Sequence, residues 1–441
     1  MAKGQPGTIH NYGTLDGEYT TSSGVYTTLG TAYQGYLQNL RKPFIKTCRL
    51  RFLNPDGSVA FALDNNEKSK RNKAFITDGS ISVNLQNGQR RTATVTIANA
   101  DSDYEYAYGK IWFGQEVALD EGMILPDGEV YYIQQGVFLI DNPTESIMPS
   151  THTVTYNLVD KWSNLDGSHF GNLEGAYEVS AGTNIFTPII SLLSEDKGNG
   201  LPIDRTTPVV TNYYNGMTQE LPDGTTAPMT DTPYTLTVDS GTIADVVLGL
   251  VKMINGMVGY DASGALRIEP SQDDISDADK PVAWEFSQDE TTLLGLTYTI
   301  KNTEVFNDYI IVGEQLDDYT QPSARAQNYD PRSDTNINII GRKTKRETAS
   351  GFGTDKMCED YAVWKVKRAT VLQKAVTISA SQVLHIRENQ LVTVRRTDKT
   401  GSPYERHLIQ GFTRPLVGTG AMTINAVSVL DVPNITIVTA S

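Results

Sequence analysis

Cysteine is almost missing. The two in 441 residues, Cys48 and Cys358, stand in distant segments with no CxxC step and no histidine at ligand spacing. That excludes a disulfide framework and a thiolate zinc site, fits synthesis in a reducing compartment, and leaves both as core thiols. Long apolar runs are missing too. The most apolar window, "IADVVLGLVKMINGMVGY", is broken by Asp245 and Lys252, so no membrane-spanning helix and no stable membrane insertion are expected. The opening "MAKGQPGTIHNYGTLDG" lacks the apolar stretch of a secretion leader, so the Asn434-Ile-Thr sequon reads as a strand edge. Cationic residues are scarce: 37 Lys and Arg against 52 Asp and Glu give a net charge of −15. A chain this acidic does not grip nucleic acid through phosphates and is expected to have no sequence-specific contact with it; its surface would repel passing DNA and keep it mobile.

What is present favours strands. Charged residues are only 20% of the chain, while 37 glycines, 22 tyrosines and abundant Thr and Val supply turns and pleated surfaces. The length asks for two to four domains. The expected fold class is mainly β with α+β parts: two similar small β-barrels per chain plus an α+β domain.

Residues 1–43 form a Tyr/Thr/Gly-rich arm with too little apolar mass for a core of its own. A short helix near Ala32–Leu40 would order against its own body or a neighbour. Residues 44–175 read as a first β-barrel domain. "KTCRLRFLNPDGSVAFAL" and "GSISVNLQNGQRRTATVTIAN" are hairpins turning at Asn54-Pro-Asp-Gly57 and Asn87-Gly88. Residues 176–232 read as an insertion, with a helix over 183–193 and then loops. Residues 233–315 read as an α+β domain. There Thr242 and Asp245 make a capping box, the helix ends near Asn255-Gly256, and a hairpin turns at Ser263-Gly264. Residues 316–350 look like a polar linker, and 351–441 like a helix over 355–373 followed by a second β-barrel domain. The cluster Lys365, Lys367 and Arg368 on that helix reads as a solvated face.

One strand is written twice. "VYYIQQGVFLID" (130–141) and "RHLIQGFTRPLV" (406–417) both run from an Ile-Gln step into Gly and Phe. Val117 stands 19 residues before Gly136, and Val392 stands 19 before Gly411, with Pro126-Asp-Gly128 and Lys399-Thr-Gly401 as the intervening turns. Order, spacing and turns imply duplication of a small barrel. Two copies are too few for a solenoid or propeller. Three such chains about a three-fold axis would place six barrels in a ring.

Reactive chemistry leaves little trace. There is no HExxH, GxSxG, Walker loop or GxGxxG. The five histidines, 10, 152, 169, 385 and 407, are scattered, and His152, His385 and His407 read as structural. "DDISDAD" (273–279) and "NADSD" (99–103) lack the glycine and distal glutamate of a calcium loop. No catalytic, cofactor-binding or metal-ligating residue is therefore singled out, and no cofactor is expected. Arg90-Arg91 should place at most one side chain toward the core, leaving the other for surface charge or a neighbouring chain.

The stretches "GSISVNLQNGQRRTATVTIAN", "YAYGKIWFGQEVALDEG…GEVYYIQQGVFLID", "TVDSGTIADVVLGLVKMINGMVGYDASGALRIEP" and "ENQLVTVRRTD…YERHLIQGF…GAMTINA" together resemble the baseplate hub proteins of phage tails. That fold is shared with hubs of contractile injection systems and the N-terminal part of tail-associated lysins, and the resemblance covers roughly 45–175 and 235–430. It implies a virion structural protein of the tail tip, assembled in the host cytoplasm as a homotrimer. Its partners would be a distal tail or tail tube protein, a tape measure protein and a central spike or fibre protein. Six-fold tube symmetry would become three-fold tip symmetry around a DNA ejection channel. The arm at 1–43 and the insertion at 176–232 depart from the pattern, and any wall-cutting activity would belong to another chain. A glycan-binding adhesin and a cell-wall hydrolase are the alternatives.

Overall fold

The computed structural model describes residues 19–21, 24–26, 31–66, 73–106, 111–112, 114–210, 214–221, 225–254, 256–270, 282–287, 292–299, 305–313, 315, 319–349, 352, 354–371, 375–396, 404–428 and 437–440. Its main feature is one sheet of 13 strands.

Seven of those strands come from the first part of the chain: β1 (Ile45–Leu53), β2 (Val59–Asp64), β3 (Ala74–Asn84), β4 (Arg91–Asn99), β5 (Glu116–Ile124), β6 (Val130–Met148) and β7 (Thr151–Asp160). They lie in the order β3-β4-β7-β6-β5-β1-β2. Period-two burial explains them. On β4, Ala93, Val95 and Ile97 are buried while Thr92 is exposed and Thr94 and Thr96 are half-buried, as one buried face requires. Just beyond β2, Asn65 brings the series back to its start. Its side-chain amide accepts from Ile76 N at 2.8 Å and donates to Ile76 O at 2.9 Å, imitating one step of a strand ladder.

The second set is β10 (Val282–Ser287), β11 (Leu293–Thr299), β15 (Ala375–Ala380), β16 (Leu391–Arg395), β17 (Tyr404–Pro415) and β18 (Met422–Ser428), ordered β11-β15-β18-β17-β16-β10. Strand β17 joins the two sets. On one side His407–Thr413 pairs with β18. On its other side, Tyr404–Leu408 pairs with β16 and Gly411–Pro415 pairs with Ser80–Asn84 of β3. A single apolar core runs through both sets, including Leu50, Ile81 and Tyr156 from the first and Phe286, Val392 and Ile424 from the second.

Among the described residues, two smaller bodies have cores of their own. In the first, a separate core joins Trp162, the helix α2 (Phe186–Ser194), the helix α3 (Ile243–Met253) and the hairpin of β8 (Gly256–Tyr260) with β9 (Leu266–Pro270). The capping box of α3 is present: Asp245 N donates to Thr242 Oγ1 at 3.3 Å and Thr242 N to Asp245 Oδ2 at 2.8 Å. Stretch 176–232 thus contributes Val179, Ile189 and Tyr214 to the core that holds α3. In the second body, a four-stranded sheet takes β12 (Asp308–Val312), β13 (Ser323–Asn328), β14 (Thr344–Thr348) and β19 (Ile437–Ala440) in the order β14-β12-β13-β19. Helix α5 (Asp355–Val371) packs on it through Cys358, Ala362 and Val366. The polar stretch 316–350 is therefore more than a linker: β13, β14 and the short helix α4 (Ile337–Ile340) lie within it. Its polarity misleads because β14 is an edge strand with its side chains mostly in solvent.

Helix α1 (Thr31–Asn39) docks on its own body. Tyr36, Leu37 and Leu40 are buried in the main core, and Tyr36 Oη lies 3.0 Å from both His385 Nδ1 and the Leu384 backbone N–H. Cys48 and Cys358 are free, buried thiols, and burial pushes Cys48 up to about 12. Among the described residues no helix is long and apolar enough to cross a membrane.

Candidate assembly site at the junction of the sheet

The twice-written strand marks two β-bulges. On β6, Gly136 lies opposite Leu119 and Gln134 opposite Asp120, so Gln135 is the extra residue. On β17, Ile409 lies opposite Ala426 and Gly411 opposite Asn425, so Gln410 is extra. In both copies the bulged residue is the glutamine before the glycine. The glycines are steric necessities: a Cβ on Gly136 would stand 2.4 Å from the Phe138 ring, and one on Gly411 2.3 Å from the Val83 carbonyl oxygen.

The equal 19-residue spacing does not carry equal register. Gly136 faces Leu119 within its hairpin, whereas the second hairpin pairs Leu391 with Leu408 and its ladder stops short of Gly411. The bulges also face different neighbours, β5 for the first and β18 for the second. The second glutamine lies where β17 changes partner from β16 to β3, with Leu85 N donating to Gln410 O at 2.5 Å.

Gln135 is fully buried and gathers the junction. Its side-chain NH₂ donates to Ile133 O and Leu384 O, both at 3.1 Å. Its Oε1 accepts from Arg414 Nη2 at 2.6 Å and Arg387 Nη1 at 3.3 Å, and its backbone carbonyl accepts from Arg91 Nη1 at 3.0 Å. Each arginine has further partners. Arg414 donates from Nε to Glu121 at 2.5 Å and from Nη1 to Val383 O at 2.9 Å. Arg91 holds both oxygens of Glu388, at 2.7 and 2.6 Å. Lys46 pairs with Glu121 and reaches the Pro415 carbonyl.

Burial dominates the electrostatics here. Desolvation lowers the Lys46 pKa against the pull of Glu121. For Glu388 burial works upward, but the charges of Arg91 and Arg90 prevail and hold it below the usual carboxylate range. His385 is driven down to about 4 by burial, with Arg387 and Arg414 adding to the effect. It is a neutral ring between Tyr36 and the Ala283 carbonyl, 3.2 Å from Nε2.

Arg90 and Arg91 correct the sequence expectation, since both are buried, at 2% and 1% exposure. Adjacent strand residues do point to opposite faces, but at this position both faces are covered. Arg91 enters the junction. Arg90 donates to Glu269 of β9 at 3.0 Å and lies against Gly259, where a Cβ would stand 2.4 Å from its Nε. Asp160 secures the pair by accepting both backbone N–H groups at 2.8 Å. Their ion pairs lie within the chain.

This arrangement is a lock. Its carboxylates are occupied by guanidinium and ammonium groups, and its links tie residues 46, 91, 121 and 135 to 383–388 and 414. In the sequence Glu121 follows Asp120 in "EVALDEGMI" and Arg414 stands in "YERHLIQGFTRP" among other polar residues, so neither the burial nor the partner of either is readable there.

Other polar groups lie elsewhere. Asp101 and Asp103 of the 99–103 loop are exposed, whereas 273–279 and His10 lie outside the described residues. Near that loop Glu105, Glu145 and His152 bring their ligand atoms within 4.8 Å of one another. His152 Nε2 already lies 2.5 Å from Glu145 Oε1, making this a hydrogen-bonded surface cluster. His407 is buried and pushed down to about 4 by burial. Lys365 lies over the Tyr361 and Trp364 rings and 2.9 Å from Glu347, so it is less solvated than its sequence context implies.

Comparison with solved structures places this geometry. The tail protein from Neisseria meningitidis MC58 superposes with a TM-score of 0.56 at 10% identity, covering 87% of this chain and 96% of that one. The chain has the phage tail-protein fold. The 43 kDa tail protein of prophage MuSo2 from Shewanella oneidensis agrees, with a TM-score of 0.55 at 14% identity over 87% of this chain and 98% of that one. No protein-family model matches the sequence. No curated protein matches it either.

Proposed function

We propose that the chain is a structural hub of a phage tail tip or baseplate. It acts as a homotrimer in which two small barrels per chain build a pseudo-hexameric ring. The ring joins a six-fold tail tube or distal tail protein, with the tape measure protein, to a three-fold central spike or fibre, and takes part in host attachment and DNA ejection. The observation that carries this reading is β17. It fuses two strand sets, each marked by a Gln-Gly bulge, into one sheet held by a buried ionic lock. A rigid pair of similar units is what a ring of pseudo-six-fold symmetry needs from each subunit. The likeness to tail proteins over 87% of the chain supports the same reading. A lock made of satisfied ion pairs fits a part that bears load and performs no catalysis.

The test is native mass together with negative-stain averages of the purified chain. A mass of three chains and a six-lobed ring is the expected result. A monomer that stays monomeric when tail tube protein is added would overturn the hub. Release of soluble fragments from purified peptidoglycan would overturn the non-enzymatic reading.

A further inference from the structure

Two exposed patches on different bodies of this chain complement one another. The first is the free edge of the four-stranded sheet. Strand β14 pairs with β12 on one side and, among the described residues, with no strand on the other. Residues 341–346 are all exposed, and four of the six are Arg342, Lys343, Lys345 and Arg346. In a chain of net charge −15 this is a concentrated cationic strip. Some of its charge is shared locally, with Lys345 at 2.8 Å from Glu347 and Arg342 at 4.0 Å from Asp308. Directly before it, Ile339 and Ile340 on α4 are 64% and 39% exposed.

The second patch is the arm formed by the far ends of β6 and β7. Its tip carries Ile147 and Met148, 72% and 62% exposed. Glu145 lies two residues before Ile147, on the order of 7 Å along the strand. Around it gather Glu105 and His152, with exposed Asp101 and Asp103 in the neighbouring loop. One patch is thus an apolar pair bordered by acids, and the other an apolar pair bordered by cations.

We infer that the β6–β7 arm of one copy docks on the α4–β14 edge of the next copy, Ile147 and Met148 against Ile339 and Ile340, with the acidic corner facing the cationic strip. The patches differ and lie on different elements, so the contact is heterologous and propagates head to tail until a ring closes. Exposed apolar residues rimmed by charge are the usual signature of such a surface, and complementary charge fixes its register. The isoleucines beside the strip favour a protein occupant over nucleic acid. This inference rests on the trimeric reading above and assigns it an interface.

Charge reversal tests it. Glu105→Lys with Glu145→Lys in the arm, or Arg342→Glu with Arg346→Glu in the strip, should each convert the trimer to monomer in native mass spectrometry. Combining all four should restore it. A wild-type trimer whose mass neither reversal changes overturns this interface while leaving the hub intact. A wild type that stays monomeric at every concentration and with tail tube protein added overturns both. Carbodiimide cross-linking of mixed ¹⁴N and ¹⁵N wild-type trimers tests the contact independently of variant folding. Inter-copy links from Glu145 or Asp101 to Lys343 or Lys345 are expected, and only intra-copy links would refute the docking. DNA retention lost on strip reversal, with the trimer unchanged, would assign the strip to nucleic acid instead.

Discussion

Arg414 donates to Glu121 across 293 residues of sequence, and neither side chain has any exposure. One comes from β17 of the second strand set and the other from β5 of the first, so this contact forms where the two sets meet. Lys46 and Gln135 complete its surroundings. A buried ion pair gives little net stability, because desolvation offsets attraction, yet an unpaired buried charge is costly. A wrong register between β17 and β3 would leave Arg414 buried away from its carboxylate, while Glu121 would keep Lys46.

Arg414→Ala should therefore destabilise the chain by roughly 3–5 kcal/mol, whereas the double variant Arg414→Met, Glu121→Leu should lose less than the sum of the two single losses, with Lys46 left as the remaining unpaired charge. Urea midpoints of wild type, both single variants and the double variant measure the coupling. Additive losses would show that the pair does not act as a unit.

Gly411→Ala should be more damaging than Gly136→Ala. The obstacle at 411 is a backbone carbonyl in the strand pairing between the two sets, whereas at 136 it is the Phe138 ring. Overpacking costs about 1–3 kcal/mol where side chains can adjust. The larger thermal shift is expected at 411, and equal shifts would contradict the special place of that bulge.

Stability should fall on acidification between about pH 6.5 and 4. Burial pushes His385 and His407 down to about 4 in the folded chain from the ordinary 6.5, so the unfolded chain takes up protons first as pH drops. Each depressed histidine contributes stability that is present above 6.5, lost through this window, and on the order of 3 kcal/mol. Asp160, raised to about 6 by burial, works the other way for one group. Urea midpoints at pH 7.5 and 4.5 measure the slope. His385→Gln should remove a large part of it, and an unchanged slope would exclude His385 as its source.

Asn65→Ala should loosen the return of β2 to β3. Two hydrogen bonds to the Ile76 backbone disappear, at about 0.5–1.5 kcal/mol each. Hydrogen exchange at the Ile76 amide should accelerate well before any global change. Unaltered protection there would mean that the seam is held by other contacts.

Much of the local structure is legible in the sequence. The period-two pattern of β4, the turns at Asn87-Gly88 and Ser263-Gly264, the capping box at Thr242 and Asp245, and the helix from Asp355 all arise from residues close in the chain. The repeated Ile-Gln step leading into Gly is readable as well, although its meaning is not. Equal spacing pointed to equal hairpins, whereas the registers differ and the conserved feature is a bulge. The fate of Arg90 and Arg91 was likewise hidden, since alternation says which way a side chain points but not what covers that face.

The sequence by itself determined where strands, turns and helix caps form, because those depend on backbone preference and on the spacing of apolar residues within a few positions. Only the tertiary structure decided that β17 would change partners at Gly411, that three arginines would meet at Gln135, and that the cationic strip would stand at the end of the four-stranded sheet among the described residues. Those outcomes depend on contacts between residues hundreds of positions apart. Such contacts form only where desolvation of charge is repaid by a partner already in place, and no local pattern encodes which partner that is.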